Sequence, residues 1–446
     1  LLISLCSACG YAEDPADLKE VIRVMQSRID ALEKKVAEQG EYISKQQKES
    51  VLQKETIQTY ESRLSKFEEK PVPAEPPHFF DGFVFGLGGT LVAQGTDNAN
   101  DASDGDQLKD SRTDALYSID LTLARAFEGT GGNAFLHLEA GEGSGLEDDL
   151  VLYSNVNRDA ADNGGDVTVT ELWYEQKLFG ENVAVSFGKL DPTILFDQSA
   201  VAHDETRQFL GRIFRNSPVV EFPDNTAGVR VAALPFEWLE LGYGYFDGDN
   251  DWERIGDDGF NMGQAHLKTD FFGAAGNYRF YGWKNNADHT KWSDPAAVEE
   301  ASYGFGLSFD QKLAQNITGF CRYGWQDPDV YNPNLATTDG QNFSLEESWS
   351  AGLEFGGAPW KREKDVLALA LGQVFPSGEY KRFGSSTVLT PKAKPEGHFE
   401  LYYRIQVNEH LCVSPDLQYI WNPFGGDIPE DTESIWVGGL RAQINF

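Results

Sequence analysis

Along most of the chain, apolar and polar residues alternate one for one. The end is the plainest case. In "SIWVGGLRAQINF", Trp436, Gly438, Leu440, Ala442, Ile444 and Phe446 share one face, and Gly439, Arg441, Gln443 and Asn445 share the other. Period-two alternation marks a strand with one buried face. From His78 onward sixteen such stretches can be delimited: 82–95, 113–126, 132–141, 166–177, 181–190, 226–234, 237–247, 259–269, 272–283, 300–309, 314–326, 347–356, 365–374, 396–406, 409–421 and 433–446. The connectors at 127–131, 178–180, 235–236, 270–271, 310–313, 357–364 and 407–408 are short. Those at 96–112, 142–165, 191–225, 248–258, 284–299, 327–346, 375–395 and 422–432 are long.

An even strand count, with short turns at one end and long loops at the other, predicts a sixteen-stranded antiparallel transmembrane β-barrel. The strand faces agree. One face carries Ile119, Leu121, Leu123, then Val183, Val185, Phe187, then Leu239, Leu241, Tyr243, Tyr245, and later Tyr303, Phe305, Leu307, Phe309 and Leu401, Tyr403, Ile405. The opposite face carries Glu240, Arg279, Tyr281, Ser308, Arg322, Glu354, Glu400, Arg404, Asp416 and Gln418. An Arg or Lys facing lipid at the midplane costs about 2–4 kcal/mol. The charged face is therefore the expected lumen, and a barrel of this width keeps an aqueous channel.

Before the strands the period changes. Ile22, Ile29, Val36, Ile43, Ser50, Ile57 and Leu64 recur every seven residues, with Leu18, Met25, Leu32, Gln39, Gln46, Gln53, Tyr60 and Phe67 at the second seam position. This predicts an N-terminal α-helical coiled coil over 16–70, roughly 80 Å long at 1.5 Å per residue. The three consecutive glutamines suit a homotrimer with fixed register, a dimer being the other choice; a single amphipathic helix packed on the next domain is the plainer alternative. "PVPAEPP" at 71–77 reads as a stiff linker. The domains expected are a signal-peptide remnant at 1–12, a periplasmic stalk at 16–70, this linker, and a barrel at 78–446. "LLISLCSACGYA" has the apolar run and small residues of a secretory signal, with cleavage after Ala12 and Cys9 lipidation as the lesser reading.

Charge narrows the functions. Thirty-seven basic and 71 acidic residues leave a net charge of −34, nearly all of it after residue 77. Nucleic acid is excluded as a partner, since phosphates require a basic surface. The chain has no apolar run long enough for a membrane helix. No two of the seven histidines have metal-ligand spacing, and neither a nucleophile elbow nor a phosphate loop is present. No enzyme activity, catalytic residue, metal or cofactor is expected. "DNANDASDGD" (97–106) resembles a calcium loop only loosely and reads as a solvated, self-repelling loop. Cys321 and Cys412 stand in separate strands, and spacing cannot pair them.

The longest connector, 191–225, contains Ile194, Leu195, Phe196, Val201, Phe209, Leu210, Ile213 and Phe214. A loop in open water has no use for them, so it is expected to fold against the barrel wall and narrow the pore. Arg207, Arg212 and Arg215 would then face Asp197, Asp204 and Glu205 across the constriction. The plainer reading is that these charges pair to hold the loop. The rest of the lining expected is Arg230, Glu240, Arg279, Tyr281, Arg322, Glu354, Glu400, Arg404, Asp416, Gln418 and Arg441.

"GKLDPTILFDQSAVAHDETRQFLGRIFRNSPVVEFPDNTAGVRV" (188–231), "VSPDLQYIWNPFG" (413–425) and "VGGLRAQINF" (437–446) resemble the carbohydrate-selective porin family typified by OprB. A weaker likeness extends over most of 78–446. The resemblance implies a sixteen-stranded bacterial outer-membrane barrel that passes sugars and other small hydrophilic solutes by diffusion. It implies a constriction made by inward loops and lined by arginines, acids and aromatics. The coiled coil resembles the periplasmic stalk of longer relatives. Outer-membrane lipid and small solutes are the expected partners, with peptidoglycan or a cell-wall polymer as a contact of the stalk. The alternative function is a general ion and nutrient channel whose coiled coil tethers the outer membrane to the cell wall.

Overall fold

The computed structural model describes residues 82–101, 111–159, 164–270, 273–335, 342–384, 392–426 and 434–446. The signal remnant, the heptad segment and the proline linker expected from the sequence lie outside the described residues. The described residues form seventeen strands. They are β1 Phe83–Thr96, β2 Arg112–Phe127, β3 Gly132–Glu142, β4 Thr168–Leu178, β5 Val183–Leu190 and β6 Thr226–Phe236. Next come β7 Leu239–Asp247, β8 Gly259–Thr269, β9 Gly276–Lys291, β10 Glu300–Ala314, β11 Ile317–Gln326 and β12 Val330–Tyr331. The last are β13 Leu345–Gly356, β14 Val366–Pro376, β15 Glu396–Gln406, β16 Leu411–Trp421 and β17 Ser434–Asn445. All but β12 pair antiparallel in chain order, with β11 passing directly to β13. β17 pairs back onto β1, with Gly88 opposite Asn445 and Thr96 opposite Val437. The sheet is thus a closed barrel of sixteen strands, and closure removes both sheet edges. The two-residue β12 pairs with the far end of β9.

Exposure is inverted relative to a water-soluble core. Ile119, Leu121, Phe187, Leu241, Tyr243, Tyr303, Phe305 and Leu440 are exposed, whereas the intervening Ser118, Arg279, Ser308, Arg322, Glu400, Gln418 and Arg441 are buried. Alternation with the apolar residues outside is what a wall surrounded by lipid requires. At the short-turn end, exposed Phe236 and Trp238 stack with ring centroids 5.2 Å apart. The turn between β4 and β5 is tight because Phe179, Gly180 and Glu181 all take positive φ.

Two strands run well past the ends expected from the sequence. β9 runs from Gly276 to Lys291 rather than stopping near 283, because Asn285, Ala287 and His289 continue the inward alternation and are buried. β10 continues through 310–313, where a turn was expected, and reverses at Gln315–Asn316 before β11. Asp310 points inward and accepts from Arg279 (2.7 Å) and Asn277, while Gln311, on the outward parity of Phe309, accepts from the Tyr278 hydroxyl (2.9 Å). Polarity marks a turn in a soluble sheet but is ordinary on the wet face of a barrel.

The inner face is not bare. Leu146, Leu150 and Val156 of the connector after β3 pack with Ile420, Ile435 and Val437. The Arg441 face of the last strand, expected to meet channel water, is therefore covered by protein along that stretch. Cys321 and Cys412 are both free.

Candidate functional site

The 191–225 segment leaves β5 at Asp191, whose carboxylate accepts the Thr193 N–H (2.7 Å) and caps one helical turn, Pro192–Leu195. Proline suits the first turn, where no amide donor is needed. A second turn spans Arg212–Arg215. Of the apolar residues that predicted docking, Phe196, Val201, Phe209, Leu210, Ile213 and Phe214 are buried, and Ile194 and Leu195 are half-buried. Phe209 lies 5.7 Å from Phe320 on β11 and 5.0 Å from Tyr402 on β15, while Phe196 meets Phe246 of β7 edge-on at 6.2 Å.

Polar ties come from strands around the ring. On β11, Arg322 donates to Asp197 Oδ1 (3.1 Å), Asp197 O (3.0 Å), Ala202 O (2.7 Å) and Phe214 O. On β15, the Glu400 carboxylate accepts the Leu210 and Gly211 N–H groups (2.6 and 2.9 Å), and Arg404 donates to Arg207 O (3.1 Å). On β17, Arg441 donates to Glu205 O and Gln443 to the Thr206 hydroxyl (2.6 Å). Ser308 of β10 donates to Gln198 O (2.7 Å), and Gln264 of β8 accepts from Asp197 N (3.1 Å).

Within the segment, Arg215 pairs with Glu205 at 2.7 Å. The other loop charges do not face each other as drawn from sequence. Asp197 pairs with Arg322 of the wall, and Asp204 closes its own turn by accepting Thr206 N and Oγ1. Asp416 accepts from Gln418 (3.0 Å), which also donates to Val156 O (2.8 Å). Arg230 pairs with Glu240 at 2.8 Å and lies 5.9 Å from the Phe196 ring. Arg279 pairs with Asp310 at 2.7 Å, Tyr281 is buried beside Phe196 and Phe246, and Glu354 is half-buried.

Facing the segment is a cavity of about 610 Å³. The loop side contributes Arg158, Asp159, Glu205 and Arg215; the wall side contributes Asp120, His137, Glu139 and Glu171 from β2, β3 and β4. His137 bridges Asp120 (2.8 Å) and Glu171 (3.7 Å). Beside them on the same face, Phe135 and Trp173 stack at 5.1 Å, and the Trp173 indole donates to Glu171 (3.0 Å). A second cavity of about 230 Å³ is lined by Glu147, Arg212, Glu221 and Tyr331. Burial and the nearby Arg158 charge pull Arg212 down to about 10, and burial pushes Glu147 up to about 7. Burial would raise Glu205, yet the Arg215 charge holds it below the ordinary carboxylate range.

Sequence reasoning missed this patch on β2–β4, although its residues alternate with lipid-facing leucines in "DLTL" and "FLHLE". It also missed Arg158 and the docking of its loop, where the apolar "LVLY" (150–153) was the available signal.

A closed sixteen-strand wall, apolar outside and charged within, defines an outer-membrane channel of the porin type. Residues 109–446, more than half of the chain, match the family model described as "Carbohydrate-selective porin, OprB family". The chain belongs to that family, whose members are channels rather than enzymes. Among solved structures it is similar to Pseudomonas putida OprB at high pH, with a TM-score of 0.67, 18% identity, and 82% of this chain and 94% of that chain covered. Pseudomonas aeruginosa OccK11 (OpdR) matches with a TM-score of 0.50, 9% identity, and 84% and 99% coverage. The outer-membrane channel DcaP of Acinetobacter baumannii matches with a TM-score of 0.50, 13% identity, and 82% and 97% coverage. These likenesses concern the fold. No curated protein matches the chain in sequence.

Proposed function

We propose that the barrel passes small hydrophilic solutes, sugars among them, by diffusion through a lumen narrowed by the 191–225 segment. One observation carries the reading. The cavity beside that segment sets Arg158 and the Arg215–Glu205 pair of the loop side against Asp120, Glu139 and Glu171 of the wall, with the Phe135–Trp173 stack alongside. Fixed donors and acceptors around an apolar ring face suit a pyranose, whose hydroxyls bond at the rim while its apolar face slides over the rings. Transport is passive: water and solute exchange hydrogen bonds with the wall, and no covalent step or resident cofactor is needed.

Solute-driven swelling of proteoliposomes tests this. Trp173→Ala should slow entry of a neutral pyranose several-fold while leaving KCl conductance within a factor of two. Equal slowing of a size-matched zwitterionic amino acid would remove the sugar assignment and leave a general channel.

The heptads at 16–70 support a trimeric periplasmic stalk, with peptidoglycan within its roughly 80 Å reach. Deleting residues before Pro71 should leave conductance intact and loosen the outer membrane from the cell wall. An unchanged envelope would refute the tether.

A further inference from the structure

The connector from β7 to β8 carries a feature unrelated to the lumen. Its sequence is "DGDNDWERIGDD" (247–258), with carboxylates at Asp247, Asp249 and Asp251 and another at Asp258. The first three each offer an oxygen, and these oxygens lie within 4.8 Å of one another. An exposed acidic cluster of this kind is ordinary. Asp247 is not exposed: it is 0% accessible, and its Oδ1 has no hydrogen-bond partner. Its Oδ2 accepts from Trp252 N (2.9 Å) and the Thr226 hydroxyl (3.3 Å). A buried carboxylate with one oxygen lacking a donor, on a side chain grouped with two more carboxylates, is costly unless a cation completes it. The nearest arginine of the loop does not. Arg254 is 69% exposed and reaches Asp258 at 3.9 Å.

We propose that this loop binds a calcium ion, with Asp247, Asp249 and Asp251 as carboxylate ligands and Asp258 as a further oxygen donor. All candidate donors are hard oxygens, which select Ca²⁺ or Mg²⁺ over softer metals. Four carboxylates from one loop suit Ca²⁺, which takes six to eight oxygen ligands in flexible geometry, better than Mg²⁺, which keeps several waters and is bound through one or two carboxylates. Asp258 Oδ2 likewise has no hydrogen-bond partner. The spacing, with carboxylates at the first, third, fifth and twelfth positions, follows the order in which known calcium loops present ligands. Here a strand delivers the first ligand and the next strand begins just after the last.

The ion would fix the rim of the barrel. Trp252 and Ile255 of this loop lie on the outer wall beside Leu172, Phe187 and Val229, and the Tyr245 hydroxyl of β7 donates to Ile255 O (2.6 Å). Pinning Asp247 to Asp251 would hold the Trp252 ring at the lipid interface, where amphipathic rings are favoured.

The test uses full-length protein in detergent, stripped with EDTA and titrated with CaCl₂ and, separately, MgCl₂. Isothermal titration should give a saturable Ca²⁺ site with Kd near or below about 1 mM, as in extracellular modules, and binding to Mg²⁺ at least tenfold weaker. Tb³⁺ should bind with luminescence sensitised by Trp252, and Trp252→Phe should lose the luminescence but keep the calorimetric Ca²⁺ signal. Ca²⁺ should slow cleavage after Arg254 by an arginine-directed protease at least fivefold. The double variant Asp249→Asn, Asp251→Asn should fold to the same heat-modifiable barrel and lose both effects. Ca²⁺ binding that survives in that variant would assign the ion to another acidic loop and overturn the proposal, as would no binding at 10 mM Ca²⁺.

Discussion

Replacing Arg322 with methionine should release the 191–225 segment from β11 while the barrel stays closed. Arg322 is almost fully buried and donates to four acceptors: Asp197 Oδ1, Asp197 O, Ala202 O and Phe214 O. Methionine fills similar volume and donates to none of them. A charge-assisted hydrogen bond contributes about 1.5–3 kcal/mol, but four made by one group are not additive. Removing one partner of a buried ion pair costs about 3–5 kcal/mol, and the Asp197 carboxylate would lose its cation while keeping the Ser217 N–H as a donor. Taking about 4 kcal/mol, the ratio of docked to undocked segment falls by about a thousandfold. Undocking is the available response because it returns Asp197 and three carbonyls to water. The backbone pairing of β11 with β10 and β13 does not involve this side chain. Single-channel recording in planar bilayers should therefore show larger mean conductance with added slow fluctuations, and protease should cut within 191–225 without loss of the heat-modifiable barrel. Arg322→Lys should fall between wild type and Arg322→Met. Unaltered conductance, noise and protease resistance in Arg322→Met would refute the view that this guanidinium holds the segment.

Arg158→Glu should shift the reversal potential in a KCl gradient toward cations, since it turns a cationic group of the larger cavity into an anionic one; no shift would place that residue outside the ion path. Glu147, raised to about 7 by burial, should lose its proton between about pH 6 and 8 and add negative charge beside Arg212. Cation preference should rise over that window, and Glu147→Gln should flatten the rise. The linked stability runs the opposite way: a carboxyl raised in the folded state stabilises fully below its unfolded value near 4.5, and that contribution is lost as pH climbs from there through about 7. Thermal unfolding of wild type minus Glu147→Gln against pH checks it. Deleting Phe446 removes the reciprocal backbone pair with Leu87 (2.9 and 3.4 Å) and the ring stack on His410 at 5.1 Å, at the point where the barrel closes. Membrane yields of folded barrel should drop severalfold, with normal conductance in the barrels that assemble; wild-type yield would leave Phe446 a mere girdle residue.

What the sequence determined by itself was the wall. Strand number, closure and the assignment of faces follow from a period of two and from the cost of charge in lipid, and both are local. In "SIWVGGLRAQINF", parity alone puts Leu440 outside and Arg441 inside, and exposure follows it. The docking of 191–225 was legible for a similar reason, since Phe196, Phe209 and Phe214 had to be covered by something. What covers them was decided only by the tertiary structure. Which wall residue meets which loop atom depends on contacts more than a hundred residues apart, as between Arg322 and Asp197 or Glu400 and Leu210. No pattern along one strand encodes those pairs. The same holds for Asp120, His137, Glu139 and Glu171, ordinary inward residues until β2, β3 and β4 set them side by side opposite Arg158 and Arg215. The polar run at 310–313 shows the limit from the other side. Its composition says turn, and only the register of β9 against β10, which sets Asp310 against Arg279, makes it wall.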